Sequence, residues 1–174
     1  MKKRLLLALF VLCLCYPIAY SKSKEKSILK DGISLSIAEG WKVISNDSIG
    51  NNAYYFSAER EGKKATGLIT ITWINKIEDP EKTIILIQKT MKSANIYRNQ
   101  GIEFTAIGNE NFELFKTKNC HYSAIVKEQK VEGYIFVFNA SGKTISLFFQ
   151  TGLDDRKINF KAFELLKQTF NCRE

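Results

Sequence analysis

The sequence predicts an α+β domain: an antiparallel sheet flanked by helices. Three observations carry that expectation. Several short runs alternate apolar and polar residues at the period of a strand. Most of these runs are joined by two or three turn residues, whereas a parallel return needs a crossover of about a dozen or more. Two further stretches repeat apolar residues every three or four positions behind an aspartate, as a capped amphipathic helix does. The chain has 174 residues, 45% apolar and 25% charged, with 10 Gly and 2 Pro. That is material for one core, and it excludes collagen, a disordered tail and a low-complexity linker.

Residues 1–21 read as a secretory signal peptide. Lys2, Lys3 and Arg4 form a basic start, residues 5–15 an unbroken apolar run, and Ala19 and Ser21 the small positions before a cut. The stretch 5–20 contains Pro17 and is shorter than the about 20 residues of a spanning helix, so no stable membrane span is expected after cleavage. Leu12 and Leu14 precede Cys13 and Cys15 where a lipoprotein signal has a small residue, which argues against a lipid anchor. The mature chain would keep 23 basic and 18 acidic residues, a net of +5 over 153 residues, ordinary for solubility. No basic stripe interleaved with exposed aromatics points to nucleic acid. Residues 22–30, with Lys22, Lys24, Lys26 and Lys30, read as a flexible basic leader, and residues 31–174 as a single domain.

A first strand is expected at 33–37, where Ile33, Leu35 and Ile37 alternate with smaller residues, followed by Trp41 as a core plug. Residues 46–52 read as a polar loop. A hairpin is expected from 53–59 and 66–74 across Glu61-Gly62-Lys63, with Ile69, Ile71 and Trp73 on one face. Asp79-Pro80 starts a helix, an acidic cap before a proline whose missing N–H costs nothing there. Ile84, Ile87, Met91 and Ala94 form its stripe, and its end is placed near Arg98. Strands follow at 103–109, 120–128, 131–139 and 144–151, with a short one at 112–116. In 134–138 both faces are apolar, the mark of a central strand covered from two sides. Asp154-Asp155 caps a last helix with Ile158, Ala162, Leu165, Leu166 and Phe170 as its stripe.

Asp31 to Trp41 resembles the opening of the PsbP-like superfamily, an alternating strand running into a Pro-x-x-Trp turn, here with Ala38 in the proline position. Gly142 to Phe149 is similar to the late strand of that family. Phe160, Phe163, Leu166, Thr169 and Phe170 are similar to its closing helix. The resemblance spans residues 31–171. It implies an α/β/α sandwich shared by photosystem II extrinsic proteins, a yeast Ran-binding nuclear-transport factor and DcrB-like bacterial envelope proteins. Most members bind or assemble partners and are not enzymes. No family functional motif carries a site residue over.

Cys120 and Cys172 are the cysteines left after cleavage, and an even pair in an exported chain is expected to form a disulfide. Two buried free thiols are the alternative. A single His and no C-x-x-C argue against a metal site, and no G-x-S-x-G, H-E-x-x-H or phosphate-cradling glycine motif calls for a cofactor. His121 sits beside Cys120, but neighbours on a strand point to opposite faces. His121 is therefore expected to be a polar surface residue with no catalytic role. Glu110 and Glu113 lie in an Asn-rich loop without the spacing or glycine of a calcium-binding EF-hand. Asn46-Asp47-Ser48 and Asn139-Ala140-Ser141 match the glycosylation sequon. Tyr54 and Phe56 share one strand face; Tyr55 takes the other, where it is the candidate partner contact.

The expected function is that of an exported, periplasmic or extracellular, non-enzymatic protein that binds or assembles another envelope protein through surface its helices leave uncovered. An immunity or chaperone-like protein masking its partner is one alternative. A hydrolase of envelope polymers is another, and it requires a pocket that gathers His121 with carboxylates.

Overall fold

The computed structural model describes residues 26–98 and 101–173. The expected signal peptide (1–21) and the start of the leader lie outside these residues. The remainder of the leader is a strand. β1 (Lys26–Lys30) pairs antiparallel with β2 (Ile33–Ile37), and β11 (Asn171–Cys172) lies on the other side of β2. Asp31 and Gly32, both at positive φ (52° and 78°), make the two-residue turn between β1 and β2. Asp-Gly is a strong signal for such a turn. Lysines at both ends of β1 conceal the strand in the sequence, because an edge strand needs little apolar surface.

The main sheet contains eight strands: β3 (Trp41–Ile49), β4 (Ala53–Arg60), β5 (Leu68–Ile74), β6 (Ile102–Phe104), β7 (Gly108–Phe112), β8 (Phe115–Val126), β9 (Gln129–Ala140) and β10 (Lys143–Gly152). All its pairings are antiparallel, in the order β3-β4-β5-β10-β9-β8-β6, with β7 also paired to β8. The helices are α1 (Pro80–Ser93), the short α2 (Asn95–Arg98) and α3 (Arg156–Thr169).

Two packed layers follow from the alternation along β9. Phe136 and Phe138 point to a core shared with α3 and the small sheet, which includes Trp41, Phe56, Trp73, Phe112 and Phe163. Ile135 and Val137 point to a second core shared with Ile84 and Met91 of α1. The expected two-sided central strand is thus observed. At its middle, Gly133 lets Tyr122 lie flat on the sheet, because a Cβ there would run into the Tyr122 ring and the Phe149 carbonyl oxygen.

Several elements depart from expectation. Residues 46–49 continue β3 and are not a loop. This edge strand carries a register shift between Val43 and Ser45, and Asn46 accepts a 3.0 Å hydrogen bond from the Tyr54 hydroxyl. The strand expected at 103–109 is split into β6 and β7, with Thr105 holding both the N–H and the C=O of His121 (each 3.0 Å) between them. Phe112 and Phe115 close a hairpin and do not share a separate strand. α1 stops at Ser93, where Ala94 is extended. The break brings Tyr97 into the second core, with its hydroxyl 3.2 Å from Gln150 Oε1. α3 is rotated from its expected stripe: Ile158 is 55% exposed, while Asn159 is fully buried and donates to Thr151 Oγ1 at 2.9 Å. Asp155 precedes α3 without capping it; its carboxylate is held elsewhere.

The Cys120–Cys172 disulfide is not formed, and both cysteines are free. Cys120 belongs to the second core, where Gln88 of α1 donates to its sulfur at 3.3 Å. Cys172 packs against the first core, 3.9 Å from the Ala140 carbonyl oxygen. The main sheet lies between them, and a disulfide requires Cβ atoms about 3.5–4.5 Å apart. Burial pushes the Cys120 thiol above its ordinary pKa, against a smaller opposing effect of the Gln88 hydrogen bond. Mature protein prepared without reductant should therefore take up two alkyl groups when unfolded, as read by intact mass, with Cys120 the slower to react in the folded protein. A mass that changes only after reduction would overturn this placement.

Candidate functional site

α3 and the small sheet cover the first face of the main sheet over β9, Phe112 of β7 and Phe115 of β8, and stop short of the second half of β8. On β8 that face holds the half-buried Phe115 and the buried Thr117 and Asn119, and then the exposed His121, Ser123 and Ile125, while Cys120, Tyr122 and Ala124 are buried against the α1 side. The expectation that Cys120 and His121 point apart therefore holds. Register places Glu103 of β6 opposite Ser123, and Ser123 opposite Glu132 of β9. His121 is opposite Tyr134 in the neighbouring row.

These residues line a shallow depression of about 290 Å³. The His121 and Tyr134 rings lie 4.2 Å apart, and Tyr134 meets Phe160 of α3 edge-on at 5.7 Å. Arg156 Nε is 2.8 Å from Glu132 Oε1, and its guanidinium lies over Phe160. A second depression of about 470 Å³ shares Glu103, Ser123 and Glu132 and adds Ile125, Lys130 and Leu153. A third, of about 510 Å³, shares Lys130 and Leu153 and ends at Thr66 and Asp155. Together they make an open groove along one edge of the sheet face, with carboxylates, lysines and an aromatic platform on a rigid backbone.

Asp155 anchors the far end of the groove. Arg60 lies 2.7 Å from its Oδ2, and the Thr66 N–H and hydroxyl donate to the same oxygen at 3.1 and 3.0 Å. Burial pushes this carboxyl up. The hydrogen bonds from Arg60 and Thr66 and the Arg60 charge outweigh that, so its pKa lies below the ordinary value. Beneath the depression, Tyr97 and Tyr122 both donate to Gln150 Oε1 (3.2 and 3.1 Å). Burial raises both phenol pKa values, so the pair is protonated and structural at neutral pH.

The pocket requirement of the hydrolase alternative is met in part. His121 does share a depression with Glu103 and Glu132, a convergence invisible in the sequence because β6, β8 and β9 bring those residues together only through pairing. The depression is open, however, and Arg156 neutralises Glu132. Among the described residues no hydrogen bond joins His121 to Ser123, so the nucleophile–base geometry of covalent catalysis is not built. Nor does any group of three or more His, Cys, Asp or Glu among them stand close enough to hold a metal. Tyr55 is half-buried, beside Asp47 and Thr72 in register and facing away from Tyr54 and Phe56, and it lies far from this groove. Glu110 accepts from Asn119 Nδ2 at 2.8 Å. Of the sequon asparagines, Asn139 already donates to the Glu78 carbonyl oxygen, and Asn46 sits on the exposed edge of β3.

The same architecture recurs in solved structures. LpqN, involved in cell envelope biogenesis of Mycobacterium tuberculosis, superposes with a TM-score of 0.54 at 13% identity, over 91% of this chain and 98% of that one. Cyanobacterial PsbP (CyanoP) from Synechocystis sp. PCC 6803 gives 0.58 at 13% identity, over 91% and 97%. The fold is PsbP-like. A Pseudomonas aeruginosa protein of unknown function, PA94, described as a putative regulator, shares this PsbP-like architecture with a TM-score of 0.50 at 12% identity, over 86% and 98%. No protein-family model and no curated protein sequence matches the chain. At these identities the PsbP-like likeness concerns the fold alone, and the groove is a property of this chain's own residues. Among the described residues, no helix is long and apolar enough to cross a membrane.

Proposed function

We propose that this chain is an exported, non-enzymatic protein of the cell envelope that binds or assembles a partner protein through the open face of β6, β8 and β9. The observation that carries this reading is the exposure of His121, Ser123 and Ile125 on a strand whose other face is packed at Cys120, Tyr122 and Ala124. A sheet face left bare beside an aromatic platform and paired charges is a surface built for contact. The basic start and apolar run of residues 1–15 support export. The envelope role stated for LpqN agrees with the same compartment. An immunity or chaperone-like masking role would use the same face. A contact through Tyr55 would be made on the other side of the sheet and independently.

Placing a photo-crosslinking amino acid at Ser123 tests the proposal in intact cells. One adduct of defined mass is expected from Ser123 and none from Asn51, an exposed loop position remote from the groove. No adduct from Ser123, or the same adduct from both, would overturn it. A second reading is favoured by one observation: the backbones of Glu103 and Glu132 stand two strand spacings apart, roughly 10 Å, on either side of Ser123, a span from which two side chains can reach the carboxylate separation of inverting glycosidases. Turnover of envelope glycan that disappears in a folded Glu103→Gln variant would establish that reading instead.

A further inference from the structure

α1 carries apolar residues on two opposite sides. One is packed: Ile84 and Met91 are buried and Ile87 is half-buried against β8 and β9. At about 100° per residue, the opposite stripe consists of Lys82, Ile85, Leu86, Lys89 and Ser93, with Lys92 on its flank. A helix lying on a soluble domain ordinarily keeps that side polar. Here Ile85 is 52% and Leu86 63% exposed, and Ile96 in α2 just beyond is 49% exposed.

The charges on this side are of one sign. Lys82, Lys89 and Lys92 are exposed, and none forms a salt bridge among the described residues, although the Lys92 ammonium turns over the Phe104 ring at 5.6 Å. Glu81, the only acid within the helix, is paired with Lys118 at 3.1 Å. The Asp79 carboxylate is occupied in capping the Glu81 and Lys82 N–H groups, and Glu78 pairs with Lys76. Exposed aliphatic side chains between lysines, on a helix already fastened to a rigid sheet, match a surface that lies flat at a lipid interface. The lysine stems extend along the apolar zone and their ammonium groups reach the headgroups. α1 carries no aromatic or arginine anchor of the kind protein interfaces concentrate. No aromatic ring stands on this face to stack with a nucleic-acid base.

We propose that the outer face of α1 docks the domain on an anionic phospholipid surface, with Ile85, Leu86 and Ile96 entering the interface and Lys82 and Lys89 meeting the headgroups. The test is co-sedimentation of the mature chain with vesicles of phosphatidylglycerol and phosphatidylcholine, or of phosphatidylcholine alone. Binding is expected only to the anionic vesicles and should weaken with added salt. A Lys82→Glu/Lys89→Glu variant should lose about tenfold or more of it. An Ile85→Ser/Leu86→Ser variant should also lose binding. The control Lys63→Glu/Lys127→Glu, with the same change in net charge at exposed positions elsewhere, should bind as the parent does. All these sites are exposed, and circular dichroism of each variant is the check that it is folded. Absence of binding to anionic vesicles, equal loss in the control, or full binding by both α1 variants would overturn the proposal. None of these outcomes bears on the Ser123 cross-link, so docking and the open-face reading fail separately.

Discussion

Replacing Phe112 with alanine is expected to lower the stability of the domain by about 3–5 kcal/mol. Phe112 is fully buried at the end of β7, a five-residue strand whose backbone pairs with β8 alone. Its ring meets Phe136 and Phe138 of the central strand at 5.6 and 5.9 Å, and Phe163 and Phe170 of the α3 segment at 6.2 and 5.7 Å. Those four rings belong to two elements held apart by the rest of the core, so they cannot close over the space an alanine leaves. The loss is the transfer energy of the ring together with an unrelaxed cavity. Urea denaturation reads it directly, and Phe112→Leu should recover most of it. A loss under about 1 kcal/mol would show that β7 does not hold its ring in this core.

The second large effect is expected at Asp155. Its pair with Arg60 keeps only 18% and 20% of the two side chains exposed. Asp155→Ala would leave the guanidinium without its charge partner and two Thr66 donors unmatched, at a cost of about 2–4 kcal/mol. The pH dependence follows from the lowered carboxyl pKa. A depressed folded-state value means that the unfolded chain binds the proton more readily. The pair thus stabilises the fold above the ordinary value of 3.8, and that contribution is lost as pH falls through the folded-state value. An Asp155→Asn variant should therefore show a flatter decline in stability below about pH 4 than the parent. Parallel acid profiles for the two proteins would show that the carboxylate is not held by Arg60 in solution.

Much of the architecture is readable from short stretches. Ile33, Leu35 and Ile37 alternate and form β2; Ile69, Ile71 and Trp73 share a buried face; Asp79 accepts from the Glu81 N–H at 2.9 Å. Each depends on neighbours within a few residues. The missed elements depended on distant partners. Asn46, Asp47 and Ser48 are poor strand formers yet complete β3, because β4 offers them a paired edge and Tyr54 a hydrogen bond. Asn159 occupies a position on α3 that periodicity assigns to an apolar residue, because Thr151 of β10 satisfies its amide N–H. Of the groove, His121 was visible as an exposed strand residue. Glu103 and Glu132 were not, since nothing local marks a carboxylate whose neighbour lies two strands away.

By itself, then, the amino-acid order determined β2, β4, β5, the start of α1 and the β9–β10 hairpin, which strand is central, and that Cys120 and His121 diverge. Periodicity, turn chemistry and capping are set by interactions a few residues long. The tertiary structure alone decided that Cys120 and Cys172 stand on opposite sides of the sheet, that Asp155 serves Arg60 and leaves α3 uncapped, and that β8 is bare on one face from His121 onward. Those outcomes depend on how segments far apart in the chain come into register and on how far a single helix can reach across a wide sheet.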